Sequence, residues 1–297
     1  MIKWLKNFLL LEDGAVFHRL HVVPESLVGA GHDPVKLHNW KGLLRIRLLF
    51  KKVNLPPTPA YVTIHNSYRG YYHWLLESVP KLLEIKRAVP DFTLLIPASY
   101  TDAFYDDTLR MLGVAKVEHL QPDVIYRVPR LALPYTGLLM GNYSAEVLQE
   151  VKTAFLKAVG APEPNGAPKR LYISRRKAVR RKVMNESEVE QLLTAQGFET
   201  VCFEDYTFEE QVRACAAAEM LVSIHGAGLS NMVFLPAGAT VVEFRKFDNG
   251  ENFFFTQLAI TLQHSYHLLY CAAENEQHSV QDADLWVDIV TLKALIN

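Results

Sequence analysis

Six cations follow one short apolar run. Arg175, Arg176, Lys177, Arg180, Arg181 and Lys182 come directly after Leu171–Ser174 in RLYISRRKAVRRKVMNESE. Further on, His225-Gly226-Ala227-Gly228-Leu229 follows the apolar run Met220–Ile224. A glycine-containing turn from a buried strand into a helix gathers free backbone N–H groups and the positive end of the peptide dipoles at one spot. Gly226 and Gly228 let the backbone approach a phosphate closely, and His225 adds a side-chain donor. Guanidinium forks match phosphate geometry. If both runs are strands of one parallel sheet, their ends share a crevice, and the chemistry expected there is binding of a nucleotide diphosphate. Taken singly, the cations read as a solvated loop and the glycines as a steric requirement of the turn.

A second pair of reactive side chains lies upstream, in YYHWLLESVPKLL at 71–83. His73 and Glu77 are four apart, which puts them on one face of a helix, away from the stripe Leu75, Val79, Leu82 and Leu83. An imidazole and a carboxylate in register can take the proton of an attacking hydroxyl. The plain alternative is a surface i,i+4 pair. Asp106, Asp107 and Asp205 stay open as other candidate bases. Pro80 should kink or restart this helix.

The elements that must position these residues read as βα units over a parallel sheet. Leu171–Ser174 is a strand; Asn185 with Glu188 resembles a capping box for a helix that Gly197 stops. Thr200–Phe203 returns as a strand, Thr207 with Glu210 opens the helix Val212–Ala218, and Met220–Ile224 and Thr240–Phe244 are strands. A short helix after HGAG ends near Pro236 and Gly238. Glu243 reads either as an acceptor for a ribose or sugar hydroxyl or as a strand-end surface acid. Earlier in the chain, Ala15–Val23, Tyr61–Ile64 and Asp91–Ile96 are strands and Thr108–Leu112 is helical. Strand pieces follow at 116–120, 124–128 and 130–133, then a helix at Glu146–Val159. GAPEPNGAPK at 160–169 is the clearest linker, so domains are expected at 1–159 and 170–297. After Phe244 come a helix at Asn252–Leu262, a strand at His264–Tyr270 and a helix at Asp282–Leu295. Asp282-Ala283-Asp284 is read there as acidic capping, not as a metal motif.

The ordered set ISRR at 173–176, RR at 180–181, NE at 185–186, HGAGL at 225–229, FLPAG at 234–238 and TVVEF at 240–244 resembles glycosyltransferase family 61. So does the upstream block in which His73 is followed by Glu77 and Pro80. The resemblance spans roughly Tyr61 to Arg245. It implies an α/β protein of GT-B type, two Rossmann-like domains facing a cleft, with the final helix crossing back to the first. It further implies inverting, metal-independent transfer of a hexose or pentose from a nucleotide sugar, with a UDP-sugar favoured. The acceptor would be a glycan or a lipid-linked molecule of surface polysaccharide biosynthesis, such as capsule or lipopolysaccharide. Glu77 is the first candidate base, with His73 orienting it or binding the diphosphate. Arg175, Arg180, Arg181, Asn185, His225, Gly226, Ala227, Gly228, Leu229 and Glu243 are candidates for the donor side, and Asn66, Tyr68, Arg69 and Tyr72 for the acceptor side. No cofactor is expected beyond the donor, and no metal. The competing reading is a non-catalytic nucleotide-sugar-binding or scaffold protein of the same pathway.

Composition sets the remaining bounds. A chain of 297 residues, 49% hydrophobic and 11% aromatic, can build one large or two ordinary domains. A net charge of −1 argues against a nucleic-acid binder. Cys202, Cys215 and Cys271 lack CxxC spacing, so reduced thiols and a cytoplasmic setting are expected. MIKWLKNFLLLEDG lacks signal-peptide features, and no run reaches the ~20 apolar residues of a membrane span. Ile2–Leu11 and the five-cation stretch Lys41–Lys52 could touch the inner face of a membrane, against the plainer reading of an edge strand or surface helix. A serine hydrolase would need GxSxG, and Ser230 lacks the second glycine. Neither GxGxxG nor GxxxxGK[ST] occurs, which sets aside a Rossmann dehydrogenase and a P-loop kinase.

Overall fold

The computed structural model describes residues 1–27, 40–65, 68–134, 141–160, 169–247 and 253–297. Contacts divide the chain into Met1–Asn142 and Tyr143–Asn297, each built on its own sheet.

In the first unit the elements run β1 (Ile2–Leu10), β2 (Val16–His18), β3 (His21–Val22), α1 (Trp40–Leu49), β4 (Lys51–Asn54) and β5 (Tyr61–Thr63). Then come α2 (Tyr71–His73), a π-helical turn at Trp74–Ser78, α3 (Val79–Ala88), β6 (Thr93–Pro97), α4 (Ala103–Met111), β7 (Val117–Leu120) and β8 (Val124–Pro134). The strand order is β3-β2-β1-β8-β5-β6-β7, with β4 also pairing with β8. β1 runs antiparallel to β8, while β4, β5, β6 and β7 join in parallel, so the sheet is mixed. The apolar N-terminal run is therefore a long strand paired with β8 from Ile2↔Pro134 to Leu10↔Tyr126. β8 is continuous where two pieces were expected. Pro129 has no N–H to give the ladder, and Asn7, opposite it between the paired Lys6 and Phe8, turns to φ +56°. Leu5, Leu10, Leu95, Val128, Leu131 and Leu133 are buried in one core cluster of this unit.

The second unit begins with α5 (Ala145–Val159) and continues β9 (Lys169–Ile173), α6 (Glu186–Ala195), β10 (Phe198–Val201), α7 (Phe208–Ala216) and β11 (Ala218–Ile224). A 3-10 helix at Ala227–Phe234, β12 (Thr240–Lys246), α8 (Phe254–Thr261), β13 (Ser265–Ala273), β14 (Leu285–Trp286) and α9 (Ile289–Ile296) complete it. The strand order is β10-β9-β11-β12-β13-β14, parallel throughout except at β14. The chain starts inside the sheet at β9, steps to the edge at β10, then reverses to add β11, β12 and β13. The reversal makes the gap between β9 and β11 a topological switch point, where open α/β sheets bind ligands.

Several expectations change. α5, expected to close the first domain, belongs to the second unit, where Phe155 meets Phe208 and Phe234 edge to face; linker residues 161–168 lie outside the described residues. Asn185 makes no side-chain cap at α6, whereas Thr207 and Glu210 form the full reciprocal box at α7. The C-terminal helix starts at Ile289, not Asp282: Asp288 is its cap, accepting from the Thr291 N–H at 2.6 Å. Its Leu292 and Ile296 join Val189 and Leu193 of α6 in this unit's core. Cys215 and Cys271 are buried free thiols, with Cys271 pushed up to about 12 by burial. No helix among the described residues is long and apolar enough to cross a membrane.

Candidate functional site

Ile173 pairs with Ser223 across the switch point, so the chain leaves β9 and β11 from neighbouring positions on one sheet edge. The Ser223 hydroxyl donates to the Ile173 carbonyl at 3.1 Å and fixes that spacing. Past β11, the Leu229 N–H bonds the Gly226 carbonyl at 3.0 Å and starts the 3-10 helix. Gly226 is in extended backbone that any residue can adopt. Its lack of a side chain matters for room: a Cβ there would lie 3.0 Å from Arg175 Nη1. At Gly228 a Cβ would make only ordinary contact with Ile173, 3.6 Å away. Leu229 is fully buried and anchors the helix, with Ala227 leading into it.

Behind this turn lies a polar chain. Glu243 has no exposed surface; one carboxylate oxygen accepts from His225 Nδ1 and the other from the Tyr266 hydroxyl. Arg245 Nη1 stands 3.7 Å from the same carboxylate. Burial, reinforced by the Glu243 charge, holds the Tyr266 hydroxyl well above its ordinary range. With Nδ1–H committed to Glu243, His225 turns Nε2 to the Gln281 side-chain amide at 3.2 Å, and Gln281 Oε1 accepts from Arg181 Nη1 at 3.3 Å. Glu243 is thus neither a surface acid nor a free hydroxyl acceptor. It orients His225.

Three of the six cations are held in ion pairs. Arg176 pairs with Glu190, Lys177 with Asp205, and Arg180 with Asp282 at 2.5 Å. Lys182 gives its backbone N–H to Asp284 at 2.7 Å. Arg175 and Arg181 differ: they are half-buried, each has a buried Nε without a hydrogen-bond partner, and neither has a carboxylate ion pair among the described residues. Burial lowers the Arg175 pKa, and the Arg180 charge adds to the effect. Arg181 is pushed down to about 10 by burial and by the charges of Arg175 and Arg180, and its backbone is held at φ +59°. Two desolvated, mutually repelling guanidinium groups beside a glycine turn form a place for an anion.

The His73–Glu77 pair is built differently from the helical wheel. Pro80 cannot supply the N–H that would bond the Leu76 carbonyl, and its ring would crowd that carbonyl. The helix widens into the π turn Trp74–Ser78 just before it, a distortion that recurs at functional sites. Trp74 to Leu83 is buried all round, so Glu77 is a buried carboxylate and the surface-pair reading fails. His73 Nδ1 meets Glu77 Oε2 at 3.0 Å. The Tyr68 ring stacks on His73 at 4.8 Å and Tyr72 meets it edge-on at 5.1 Å. One turn further, buried Lys81 donates to the Ile64 carbonyl at 3.3 Å; burial pushes its amine down to about 8, against the opposing charge of Glu77. Arg69 is mostly exposed and stands 3.8 Å from Glu12; Asn66 lies outside the described residues. Among the other acids, Asp106 is exposed, Asp107 pairs with Arg110 at 2.8 Å, and Asp205 is taken by Lys177.

Residues 71–242 match the family model described as Glycosyltransferase 61, which is more than half of the chain. The chain belongs to glycosyltransferase family 61. Mouse protein O-linked-mannose beta-1,4-N-acetylglucosaminyltransferase 2 is 39% identical over 114 residues, 37% of this chain and 19% of the mouse protein. The human protein of that name is 51% identical over 67 residues, 21% of this chain and 11% of its own length. The one from Takifugu rubripes is 38% identical over 125 residues, 37% of this chain and 20% of its own. The chain spans at most a fifth of the length of these relatives.

Within this family 61 chain, sequence reasoning missed Gln281, Asp282, Asp284, Tyr266 and Lys81. Asp282 and Asp284 were visible but assigned to a helix start; they clasp the basic loop from the C-terminal segment. Asn185 serves the same clasp. Its amide donates to the Val287 carbonyl at 2.9 Å and accepts from the Val287 N–H at 3.0 Å, which ties down the loop.

Proposed function

We propose that this family 61 protein is a glycosyltransferase that binds the diphosphate of a nucleotide sugar at the switch point of its second unit. One observation carries the reading: Arg175, against Gly226, and Arg181, linked to His225 through Gln281, are half-buried with a buried, unpartnered Nε and no carboxylate ion pair among the described residues. Uncompensated cations cost stability, and an anionic ligand would offset that cost. The sugar then moves by inversion. The acceptor oxygen bonds to the anomeric carbon as the bond to phosphate breaks, and the electron pair leaves on the diphosphate. Arg175, Arg181 and the first N–H groups of the Ala227–Phe234 helix meet that charge without a metal. Glu77 takes the acceptor proton, and His73 holds the carboxylate in orientation. Tyr68, Arg69 and Tyr72 contribute the acceptor side, and GT-B is the fold type that goes with this chemistry.

The resemblance favours a UDP donor, and the name of the animal relatives makes N-acetylglucosamine the first sugar to test. The proposed acceptor is a glycan or lipid-linked molecule of surface polysaccharide synthesis; a mannoside is the comparison the relatives' name suggests.

The test is calorimetry with UDP, GDP, CDP, CMP and TDP, with and without EDTA, followed by product analysis with the matching nucleotide sugar. Binding of one diphosphate regardless of EDTA, lost in Arg181→Ala, together with transfer abolished in Glu77→Gln, is the expected result. Binding without transfer, unchanged by Glu77→Gln, would make the protein a nucleotide-sugar binder only. No binding at all would sink the phosphate site.

A further inference from the structure

The first unit carries a second cluster of cations, on α1 and β4. In α1 the inward face is spent: Leu43 and Ile46 are buried with Leu11, Ala15, Phe17 and Ile125. The outward face is not. Leu44, Leu48 and Leu49 are 43%, 76% and 68% exposed, and the first two lie one turn apart. Around them stand Lys41 and Arg45 on α1 and Lys51 and Lys52 at the start of β4, all exposed. Arg45, Lys51 and Lys52 have no ion pair among the described residues.

Sheet register adds a recess beside this face. β4 lies parallel to β8 with Lys52 opposite Ile125 and Asn54 opposite Arg127, so all four residues share one side. Arg47 reaches over from α1, its guanidinium donating to the Arg19 carbonyl at 2.9 Å. Together with Leu9 these residues line a cavity of about 80 Å³. Three cations, Arg47, Lys52 and Arg127, converge on a space the size of one phosphate group. The acid nearest in register, Asp123, sits at the other end of β4, next to Lys51.

We infer that α1 and β4 dock this protein on an anionic phospholipid surface, with a headgroup phosphate in the Arg47–Lys52–Arg127 recess and Leu44, Leu48 and Leu49 dipping into the acyl boundary. Charge complementarity selects the partner. Exposed leucines alone would fit many apolar surfaces, but leucines ringed by cations fit a layer that is apolar below and anionic above. The long stems of the lysines and arginines can lie along the apolar layer with their charges in the headgroup region.

The test is flotation of the full chain with vesicles of phosphatidylcholine alone or with about a third phosphatidylglycerol. Binding to the anionic vesicles should exceed binding to the neutral ones by at least about ten-fold and fall with added salt. Lys52→Gln with Arg127→Gln should weaken it roughly five-fold for each cation removed. Leu48→Ser with Leu49→Ser should weaken it too, and because both leucines are exposed this variant keeps its fold, as an unchanged melting temperature will report. Equal binding to both vesicles, no binding, or binding kept by both double variants would overturn the proposal. So would a rise in melting temperature with inorganic phosphate but no vesicle binding, which would assign the recess to a soluble anion.

Discussion

Glu243 holds His225 from the neighbouring parallel strand, and the carboxylate that does so is completely buried. The register pairs Ser223 with Glu243, which puts His225 just beyond the end of β11 and within reach of the carboxylate. A carboxylate on Nδ1 fixes the ring's tautomer and leaves Nε2 to meet the Gln281 amide.

Glu243→Gln keeps the shape but loses the charge that orders His225 and Tyr266. Nucleotide affinity should fall roughly ten-fold, as for the loss of an outer-shell partner, measured by calorimetry. Glu243→Ala takes the carboxylate from beside the buried Arg245 guanidinium and should destabilise the protein by about 3–5 kcal/mol in urea unfolding.

Arg181→Met should move stability and binding in opposite directions. The burial and like-charge repulsion that push Arg181 down to about 10 are a cost to the folded state at every pH below that value. The variant should melt higher than the parent without ligand and show no melting shift with a nucleotide diphosphate. A variant that melts lower and still binds would contradict both halves.

Gly226→Ala tests room and not backbone strain. The new methyl would crowd Arg175 Nη1, the far end of a flexible side chain, so the melting temperature should hardly change. The displaced guanidinium should cost at least about ten-fold in diphosphate affinity, the scale of a charge-assisted hydrogen bond.

His65 and Lys81 give the first unit opposite limbs of a pH profile. His65, its ring nitrogens bonded to Thr63 and the Glu12 carbonyl, is pushed by burial from 6.5 to about 4. The unfolded chain therefore binds more protons in that window. The contribution, about 3 kcal/mol, is full above pH 6.5 and lost as the pH falls toward 4. Lys81, lowered from 10.5 to about 8, makes stability rise as pH climbs through that interval. Urea unfolding across pH should show the acid limb flattened in His65→Gln and the alkaline limb flattened in Lys81→Met.

The strands at Met220–Ile224 and Thr240–Phe244 were legible because Val, Ile and Leu runs sit between glycine, proline and capping signals. The Thr207 cap was legible for the same local reason. What was hidden depends on partners distant in sequence. Nothing within 175–182 tells which arginines will meet carboxylates, because Asp282 is 102 residues from Arg180. Glu243 looks like any strand-end acid until β13 brings Tyr266 beside it. The burial of Glu77 escaped a wheel drawn at 3.6 residues per turn, since Pro80 forces a wider one just before it. The helix expected from Asp282 failed because acids that suit a first turn serve a loop equally well, and Asp288 is the residue that caps.

The clasp of the C-terminal segment on the basic loop also sets the order of assembly. Arg181 reaches Gln281 across 100 residues, and Asn185 reaches Val287 across 102. Contacts so far apart in sequence form late, because the intervening chain must be closed first. During synthesis the clasp stays incomplete until Val287 has emerged, after every strand of its sheet. Nucleotide binding by a growing chain would therefore mark the end of folding for this unit, and a ribosome-bound series of lengths should acquire it in a single late step.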